Sequence, residues 1–295
     1  VEIDERGGGK LKTLLRALCM KQDADIVVAD IIPLALLLSL RNRGRLLYFA
    51  QDYDESYYAN SIQRFFIQAF YAVGLGLLKI PVIAVSSYLG EILRQRFGAS
   101  VDVVTNGVDT NLFFHEPDPL LEKSKMGRRA IVVLARADYR KGFDIARVVI
   151  DLLAKGAHAD SLLVWCVGDA CPAAFGGIPF QDFGYVDERR LRQLFSSADL
   201  FLYPSRHEGY GLMPVEAMAC GCPVVTTRAV KVVEHGKNAL VSEVGDVKGL
   251  TDNITTLISS EPLRDKLVAG GLQFARENSL ATAQEKFVRT LARLF

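Results

Sequence analysis

Short runs of apolar, branched and aromatic residues recur along this chain, and longer segments with a helical pattern separate them. Such runs predict buried strands, and their alternation with helices predicts parallel sheets covered by helices on both faces. The runs are 25–30, 46–50, 81–86, 101–105, 130–135, 161–168, 199–203, 223–227 and 239–242. The chain is therefore predicted to be an α/β protein with two Rossmann-like domains.

A segment rich in proline and mixed charge, residues 115–127, is predicted to link these domains. The first domain would then be residues 1–114, and it is short by several elements. The second domain would be residues 128–279, followed by a last helix over 280–295. With 295 residues, half of them apolar, the chain can bury two modest cores.

The charge and cysteine content limit the classes of partner. A net charge of +1 gives no general field for nucleic acid, so no nucleic-acid partner is expected. The five cysteines are odd in number and lack metal-ligand spacing, which indicates a reducing compartment. Cys166, Cys220 and Cys222 are predicted to be core residues.

The longest apolar stretch, residues 65–85, is long enough to test as a membrane span. Three residues that a span would exclude interrupt it: Gln68, Lys79 and Pro81. The stretch is predicted instead to form an apolar helix and a strand. No signal peptide opens the chain, and we expect a soluble protein that can touch a membrane without crossing it. A small basic cluster consists of Arg41, Arg43 and Arg45. It could contact acidic lipid head groups or form a solvated face.

The run from His207 to Val225, HEGYGLMPVEAMACGCPVV, contains the most chemical information. A predicted strand precedes it, and a Gly-rich turn leads into a helix in which Pro214 suits the first position. Gly221 suits the left-handed residue that follows the helix. Free amides at the start of such a helix bind oxygen-rich or anionic ligands, and open α/β sheets bind ligands beyond the carboxyl ends of their strands.

Two carboxylates, Glu208 and Glu216, frame this turn. Paired acceptor oxygens suit the vicinal hydroxyls of a sugar or a ribose. The alternative is that Glu208 caps an amide or faces water, and that Glu216 is an ordinary acid of the first helical turn.

The run resembles the signature of the retaining nucleotide-sugar glycosyltransferases of family GT4, the glycosyl transferases group 1, which have the GT-B fold. The resemblance implies two Rossmann-like domains whose parallel sheets face a cleft, with the helix over 280–295 crossing back to the first domain. By position, Glu208 would contact the transferred sugar and Glu216 would hold the ribose. The amides that would approach the sugar and the diphosphate are those of Gly209, Tyr210, Gly211 and Leu212.

A second loop, residues 134–144, follows a predicted strand and offers cations near a helix start. Arg136 and Lys141 match the pair with which the family grips the diphosphate. Cations placed there would stabilise the charge that develops on the leaving group. Arg140 is interpreted as a solvent-facing neighbour, although an exchange of roles with Lys141 stays open.

Other positions follow from the resemblance. Tyr185 and Val186 match the segment that seats the nucleotide base, although Tyr185 would equally suit a core. On the acceptor side, Asp52 could orient the acceptor hydroxyl or cap a strand, and Ser86 could offer a hydroxyl.

The chain departs from the family in three places. Residues 49–54 lack the histidine that many relatives place near the reacting sugar. The first domain looks abbreviated, and Gly7-Gly8-Gly9 is too little to replace its Gly-rich loop. Three explanations stay open: the chain is a fragment, residues have been left out of it, or the domain is truly short. After Thr227 the chain is shorter than in relatives with paired glycines.

The resemblance implies an enzyme that transfers a hexose-type sugar from a nucleotide-diphosphate sugar to a saccharide or glycolipid acceptor. Its product would retain the donor configuration, with no cofactor and no metal, on the cytoplasmic side of a bacterial membrane and in peripheral contact with it. One alternative is a metal-dependent transferase that uses a DxD pair, Asp23 with Asp25 or Asp52 with Asp54. The other is a nucleotide-sugar-binding or scaffolding subunit without turnover.

Overall fold

The computed structural model describes residues 24–41, 44–53, 55, 58 and 60–295. Contacts divide the chain into two compact units. The first unit contains the described residues up to Thr105 together with Lys286–Phe295, and the second unit is Asn106–Glu285. The predicted boundaries after residues 114 and 279 both fall inside the second unit.

The first unit is built on a four-stranded parallel sheet in the order β1-β2-β3-β4. Its strands are β1 (Val27–Ala29), β2 (Leu46–Ala50), β3 (Val82–Ala84) and β4 (Val101–Val103). Its helices are α1 (Ile32–Ser39), α2 (Ser61–Tyr71), which continues as a π-helical turn over Ala72–Leu77, and α3 (Ser87–Phe97). All four predicted strands are confirmed, and β2 has the predicted ends.

The second unit is built on a six-stranded parallel sheet in the order β10-β9-β8-β5-β6-β7. Its strands are β5 (Arg129–Ala135), β6 (Leu162–Gly168), β7 (Phe180–Asp182), β8 (Leu200–Tyr203), β9 (Val224–Thr227) and β10 (Leu240–Ser242). Its helices are α4 (Pro119–Ser124), α5 (Phe143–Leu153), α6 (Glu188–Ser197), α7 (Leu212–Ala219), α8 (Val247–Ser259) and α9 (Glu261–Glu277). The five predicted strands are confirmed, and β7 was not predicted.

The core of the second unit lies between its sheet and two helices. Apolar side chains of α5 and α8 pack on Ile131, Val133 and other buried residues of the sheet. The three predicted core cysteines are buried, which confirms that prediction.

Residues 115–127, predicted as a linker, pack on the second unit. The amide of Asp118 donates to Ser197 Oγ (2.9 Å), and Lys125 Nζ donates to the carbonyl oxygen of Ser197 (2.7 Å). Helix α4 forms inside this segment because Asp118 caps it and Pro119 takes its first position.

The last helix, α10 (Leu280–Leu294), begins in the second unit, and its residues from Lys286 onward belong to the first. Phe287, Leu291 and Leu294 lie at i, i+4 and i+7 on one helix face and pack against a cluster that contains Leu47 and Ile83. This apolar face therefore completes one side of the four-stranded sheet.

None of the helices formed by the described residues is both long enough and apolar enough to cross a membrane. The apolar stretch 65–85 divides as predicted, into the helical segment that ends at Leu77 and strand β3. Of the predicted basic cluster, Arg43 lies outside the described residues.

Candidate functional site

Strand β8 delivers a loop, residues 204–211, to the start of helix α7. Gly211 caps the helix with a φ of 96°, in the left-handed region that favours glycine. A Cβ at this position would lie 2.7 Å from Cγ1 of Val230. The turn therefore requires glycine both for its backbone conformation and for its close packing.

Helix α7 begins at Leu212, so Pro214 takes the third helical position and the prediction that it takes the first is wrong. Because the left-handed Gly211 caps the helix, the helix starts two residues earlier than predicted. Proline is tolerated at the third position because the N–H that it lacks would have no acceptor within the helix. Gly221 has a φ of 76°, which confirms the predicted left-handed residue after the helix.

The amides predicted to face the ligand are free of acceptors. Within the described part of the chain, no hydrogen bond engages the N–H groups of residues 209–212. They lie at the positive end of α7, where the helix dipole favours oxygen-rich or anionic groups.

Glu208 is held by three donors on one of its two oxygens. Oε1 accepts from Lys141 Nζ (2.8 Å) and from the hydroxyl of Tyr203 (2.6 Å). Ser205 Oγ lies 2.9 Å from the same oxygen, and its single proton also has the carbonyl oxygens of Arg140 and His207 within reach. Among the described residues Oε2 accepts no hydrogen bond, so it can accept one from a ligand hydroxyl.

Tyr203, at the end of β8, is fully buried beside this carboxylate. Burial, and then the charge of Glu208, raise the pKa of its phenol well above the usual range. The hydroxyl therefore stays a proton donor to Glu208 at any working pH. The sequence indicated Tyr203 only as a strand residue.

Lys141 reaches Glu208 because its turn is fixed to the glutamate loop. A 3₁₀ turn over Tyr139–Lys141 ends at Gly142, whose φ is 69°. A Cβ on Gly142 would lie 2.0 Å from the carbonyl oxygen of Pro204, so only glycine lets the two loops pack this closely.

The structure separates the roles of Arg140 and Lys141. The guanidinium of Arg140 donates to both carboxylate oxygens of Asp138, with Nε at 3.1 Å and Nη2 at 2.8 Å. Lys141, in contrast, pairs with Glu208. Of these two side chains, the one in contact with the predicted catalytic acid is therefore Lys141, as the sequence favoured.

Arg206 holds the same turn in place, and the sequence analysis did not predict this role. Its guanidinium donates to both oxygens of Asp144 (2.7 and 2.6 Å) and to the carbonyl oxygen of Tyr139 (2.8 Å). It also stacks over the Tyr139 ring, with its central carbon 3.9 Å from the ring centroid. Arg206 therefore ties the turn that carries Lys141 to the loop that carries Glu208.

Arg136, at the end of β5, pairs with Tyr185 rather than with Glu208. Its Nη2 donates to the tyrosine hydroxyl (2.9 Å), and the guanidinium lies over the ring at 5.5 Å. Tyr185 is exposed, so the alternative that it is a core residue is wrong. Val186 beside it is partly buried. The predicted diphosphate cation and the predicted base-binding segment therefore touch each other.

Glu216 lies on α7 beyond the first turn, so the alternative that it is a first-turn acid is wrong. Burial, with a smaller contribution from the charge of Glu188, raises its pKa to about 7. Its carboxylate makes no hydrogen bond or ion pair to the described residues. Unlike Glu208, Glu216 therefore has no partner among the described residues that would stabilise its charge.

Tyr210 is buried, and its hydroxyl has no hydrogen-bond partner in the part of the chain that the structure describes. Burial raises its pKa to about 12. The ring therefore packs beneath the turn, and the backbone amide of Tyr210 is one of the unpaired amides of residues 209–212 described above.

The two acceptor-side candidates belong to the first unit. Asp52 follows β2, and its Oδ1 accepts from the amide of Tyr53 (2.7 Å). Ser86 follows β3 and caps α3, where its Oγ accepts from the amide of Leu89 (3.2 Å). Both side chains thus contact the backbone locally.

A cluster of three side chains that could hold a metal ion lies where β6 pairs with β7, and the cysteine spacing did not predict it. Ligand atoms of Cys166, Cys171 and Asp182 all lie within 4.8 Å of one another. Burial raises the pKa of both thiols, so they are protonated at neutral pH. Asp182 sits on the unpredicted strand β7, which is why sequence spacing gave no sign of the group.

Comparisons with known proteins concern the family and the fold of the chain. Residues 128–260, which contain every predicted donor-side residue, match the family described as glycosyl transferases group 1. The chain is 36% identical over 97 residues to the O-antigen chain mannosyltransferase B of Escherichia coli, which covers 32% of this chain and 26% of that protein. It is 28% identical over 231 residues to a GDP-mannose-dependent phosphatidylinositol monomannoside mannosyltransferase of Mycolicibacterium smegmatis, covering 67% of this chain and 58% of that one.

Both alignments thus take in less than two thirds of the relatives' own length. Among solved structures, the chain superposes on HepE of Anabaena with a TM-score of 0.74 at 22% identity, covering 96% of this chain and 80% of that one. This likeness concerns the fold, and the two parallel α/β units are those of the GT-B fold.

Proposed function

We propose, from the match of residues 128–260 to the glycosyl transferases group 1, that the second unit is a GT4-like glycosyltransferase domain. The protein then transfers a hexose-type sugar from a nucleotide-diphosphate donor to a saccharide or glycolipid acceptor. The transfer retains the donor configuration and uses no metal ion. The enzyme works on the cytoplasmic side, in peripheral contact with the membrane surface.

The observation that carries the proposal is the setting of Glu208. One of its oxygens is saturated by Lys141, Tyr203 and Ser205, and the other is left for a ligand. The free amides at the start of α7 lie next to it in sequence. The Anabaena neighbour is described as a complex with UDP and glucose, which supports a nucleoside diphosphate as the donor carrier here.

In the proposed reaction, the bond between the anomeric carbon and the diphosphate oxygen breaks, and its electron pair stays on the diphosphate. The acceptor hydroxyl oxygen forms the new bond on the same face, so an α-linked donor gives an α-linked product. The proton of that hydroxyl passes to the departing diphosphate oxygen. Arg136 and Lys141 stabilise the charge that develops there, in place of a metal ion. Lys141 also connects the diphosphate to Glu208, which binds the sugar.

Transfer assays with a panel of nucleotide sugars and acceptors test this proposal. Glu208→Gln and Lys141→Gln are each expected to reduce turnover about 100-fold or more, since each removes a charged group from the transition state. Glu243→Gln, which removes an exposed acid paired with Arg228, is the matched control. Full turnover in both site variants, or an inverted anomeric configuration in the product, would contradict the proposal.

Two outcomes would favour the alternatives. Loss of turnover with a chelator would indicate a metal-dependent reaction at a DxD pair; Asp23 and Asp54 lie outside the described residues, so the structure shows neither pair in full. Donor binding without transfer to any acceptor would indicate a nucleotide-sugar-binding subunit.

A further inference from the structure

The helical segment from Ser61 to Leu77, α2 with its π-helical turn, has two apolar faces. One face is buried in the first unit through Ile67, Tyr71 and Leu75. The other face is exposed and carries five large apolar side chains, here called the apolar stripe: Ile62, Phe65, Phe66, Val73 and Leu77. Four of them are more than half exposed: Ile62 at 66%, Phe65 at 66%, Phe66 at 54% and Leu77 at 74%.

The stripe begins on one face of α2, where Ile62, Phe65 and Phe66 lie at i, i+3 and i+4. Val73 and Leu77 add two exposed apolar side chains in the π-helical turn. From Ile62 to Leu77 it runs about 22 Å at the rise of a helix. Four of the five residues, all except Ile62, lie in the apolar stretch 65–85 that the sequence marked as too interrupted to span a membrane.

The charges around the stripe are positive. From Asn60 to Lys79 the chain has no acidic residue, and its two charged residues are Arg64 and Lys79. Glu55, which pairs with Arg64 at 2.7 Å, is shared with Arg96 at 3.2 Å, so among these described residues the cations outnumber the acid. An anionic surface complements this combination of apolar side chains and positive charge.

The shape of the stripe favours a lipid surface over a second copy of the chain. A stripe one helix wide and about 22 Å long covers a few hundred Å², whereas a stable protein interface buries about 800 Å² per partner. A helix that lies flat in the head-group region needs no wider contact, because its apolar side chains insert between lipids.

We propose that the apolar stripe docks the first unit on an anionic lipid bilayer, with α2 lying in the plane of the interface. This inference specifies which surface makes the membrane contact in the proposed function. It rests on that membrane contact and on no other part of the proposed function. The stripe needs neither donor nor acceptor, so its test is separate from any test of sugar transfer.

Sedimentation with vesicles of phosphatidylcholine and phosphatidylglycerol tests the proposal. The wild-type chain is expected to bind these vesicles, and more weakly at high salt, since salt screens the attraction to anionic lipid. The double variant Phe65→Ser and Phe66→Ser should bind at least about tenfold more weakly, because two inserted rings are lost. The matched control replaces two apolar residues of the second unit that are even more exposed, Leu120→Ser and Met126→Ser, and should bind like the wild type.

A fluorescent reporter gives a second measurement that does not depend on a loss of binding. The single tryptophan of the chain, Trp165, is fully buried, so its emission is insensitive to lipid. Phe66→Trp adds a tryptophan on the stripe, whose emission should shift to the blue on vesicles and be quenched by lipids brominated in their acyl chains.

Three results would overturn the proposal: no vesicle binding by the wild-type chain, stripe and control variants that bind alike, or a wild-type dimer that the stripe variant dissociates. Thermal stabilisation by nucleotide diphosphates, measured on the same samples without vesicles, separates a failed docking surface from a failed donor site.

Discussion

Replacing Glu216 with Gln is expected to stabilise the protein in alkaline solution and to leave its stability unchanged in acid. The wild-type glutamate is partly buried on α7, and burial, together with the charge of Glu188, raises its pKa to about 7, above the ordinary 4.5. The folded state therefore holds this proton more tightly than the unfolded state. Gln resembles the protonated acid in shape and charge, so it should mimic the acidic form at every pH.

The pKa fixes the sign and the size of the effect. The stability that the protonated Glu216 contributes is fully present below about pH 4.5 and is lost as the pH rises through about 7. At about 1.36 kcal/mol per pH unit, the interval between the unfolded and folded pKa values corresponds to about 3 kcal/mol in the free energy of unfolding. The full difference is reached above about pH 8. For a unit of this size that is roughly 6–12 °C in the unfolding midpoint.

Thermal unfolding of the wild type and Glu216→Gln at a series of pH values measures this difference. The two midpoints should coincide below about pH 4, separate as the pH rises, and keep a constant difference above about pH 8. Glu208→Gln is the contrasting control, because Glu208 is held by Lys141 and two hydroxyls; its loss should destabilise at neutral pH by about 1–3 kcal/mol. Equal midpoints for wild type and Glu216→Gln at alkaline pH, or a gap that does not change with pH, would refute the reasoning.

Three further variants test individual contacts, two beside the candidate site of the second unit and one helix cap in the first unit. Gly142→Ala should destabilise by about 3 kcal/mol or more in urea unfolding, since its Cβ would lie 2.0 Å from the carbonyl oxygen of Pro204 at a positive φ. Arg206→Gln should lower kcat about tenfold with little change in the donor KM, because it releases the turn that positions Lys141. Ser86→Ala should cost about 1 kcal/mol in urea unfolding through loss of a helix cap.

Each of these variants has a control in the chain. Gly177→Ala shares a positive φ but meets nothing within 4 Å, so it separates backbone strain from close contact. Arg228→Gln removes an arginine from an exposed ion pair away from the turn. Ser87→Ala changes an exposed serine next to the cap. An equal effect in a variant and its control would contradict the corresponding argument.

Much of the fold could be predicted because its determinants are local. A buried parallel strand is encoded as a short apolar run, and β5, β6 and β8 each follow that pattern. The free amides of the site follow from a Gly-rich turn before a helix, which is likewise a local signal. Strand β7 has three residues and is mostly exposed, so it gave no such run and was missed.

What the sequence missed depends on contacts between distant positions. Arg206 contacts Asp144, 62 positions away, and no spacing rule connects them. The hydroxyl of Tyr203 reaches Glu208 only because the loop turns back on the end of its own strand. Pro214 was misplaced by two residues because the left-handed Gly211 caps the helix, and the close approach of Val230 that favours glycine there joins positions 19 residues apart.

The most direct test of the donor site is thermal unfolding with UDP, GDP and ADP, each with and without a chelator. If the turn and the start of α7 bind a nucleoside diphosphate, one of the three should raise the midpoint by roughly 5–10 °C at about 100 times its Kd. That shift should persist with chelator and vanish in Glu216→Ala. No shift with any of them in a folded chain, or a shift that survives in Glu216→Ala, would contradict the assignment of this site.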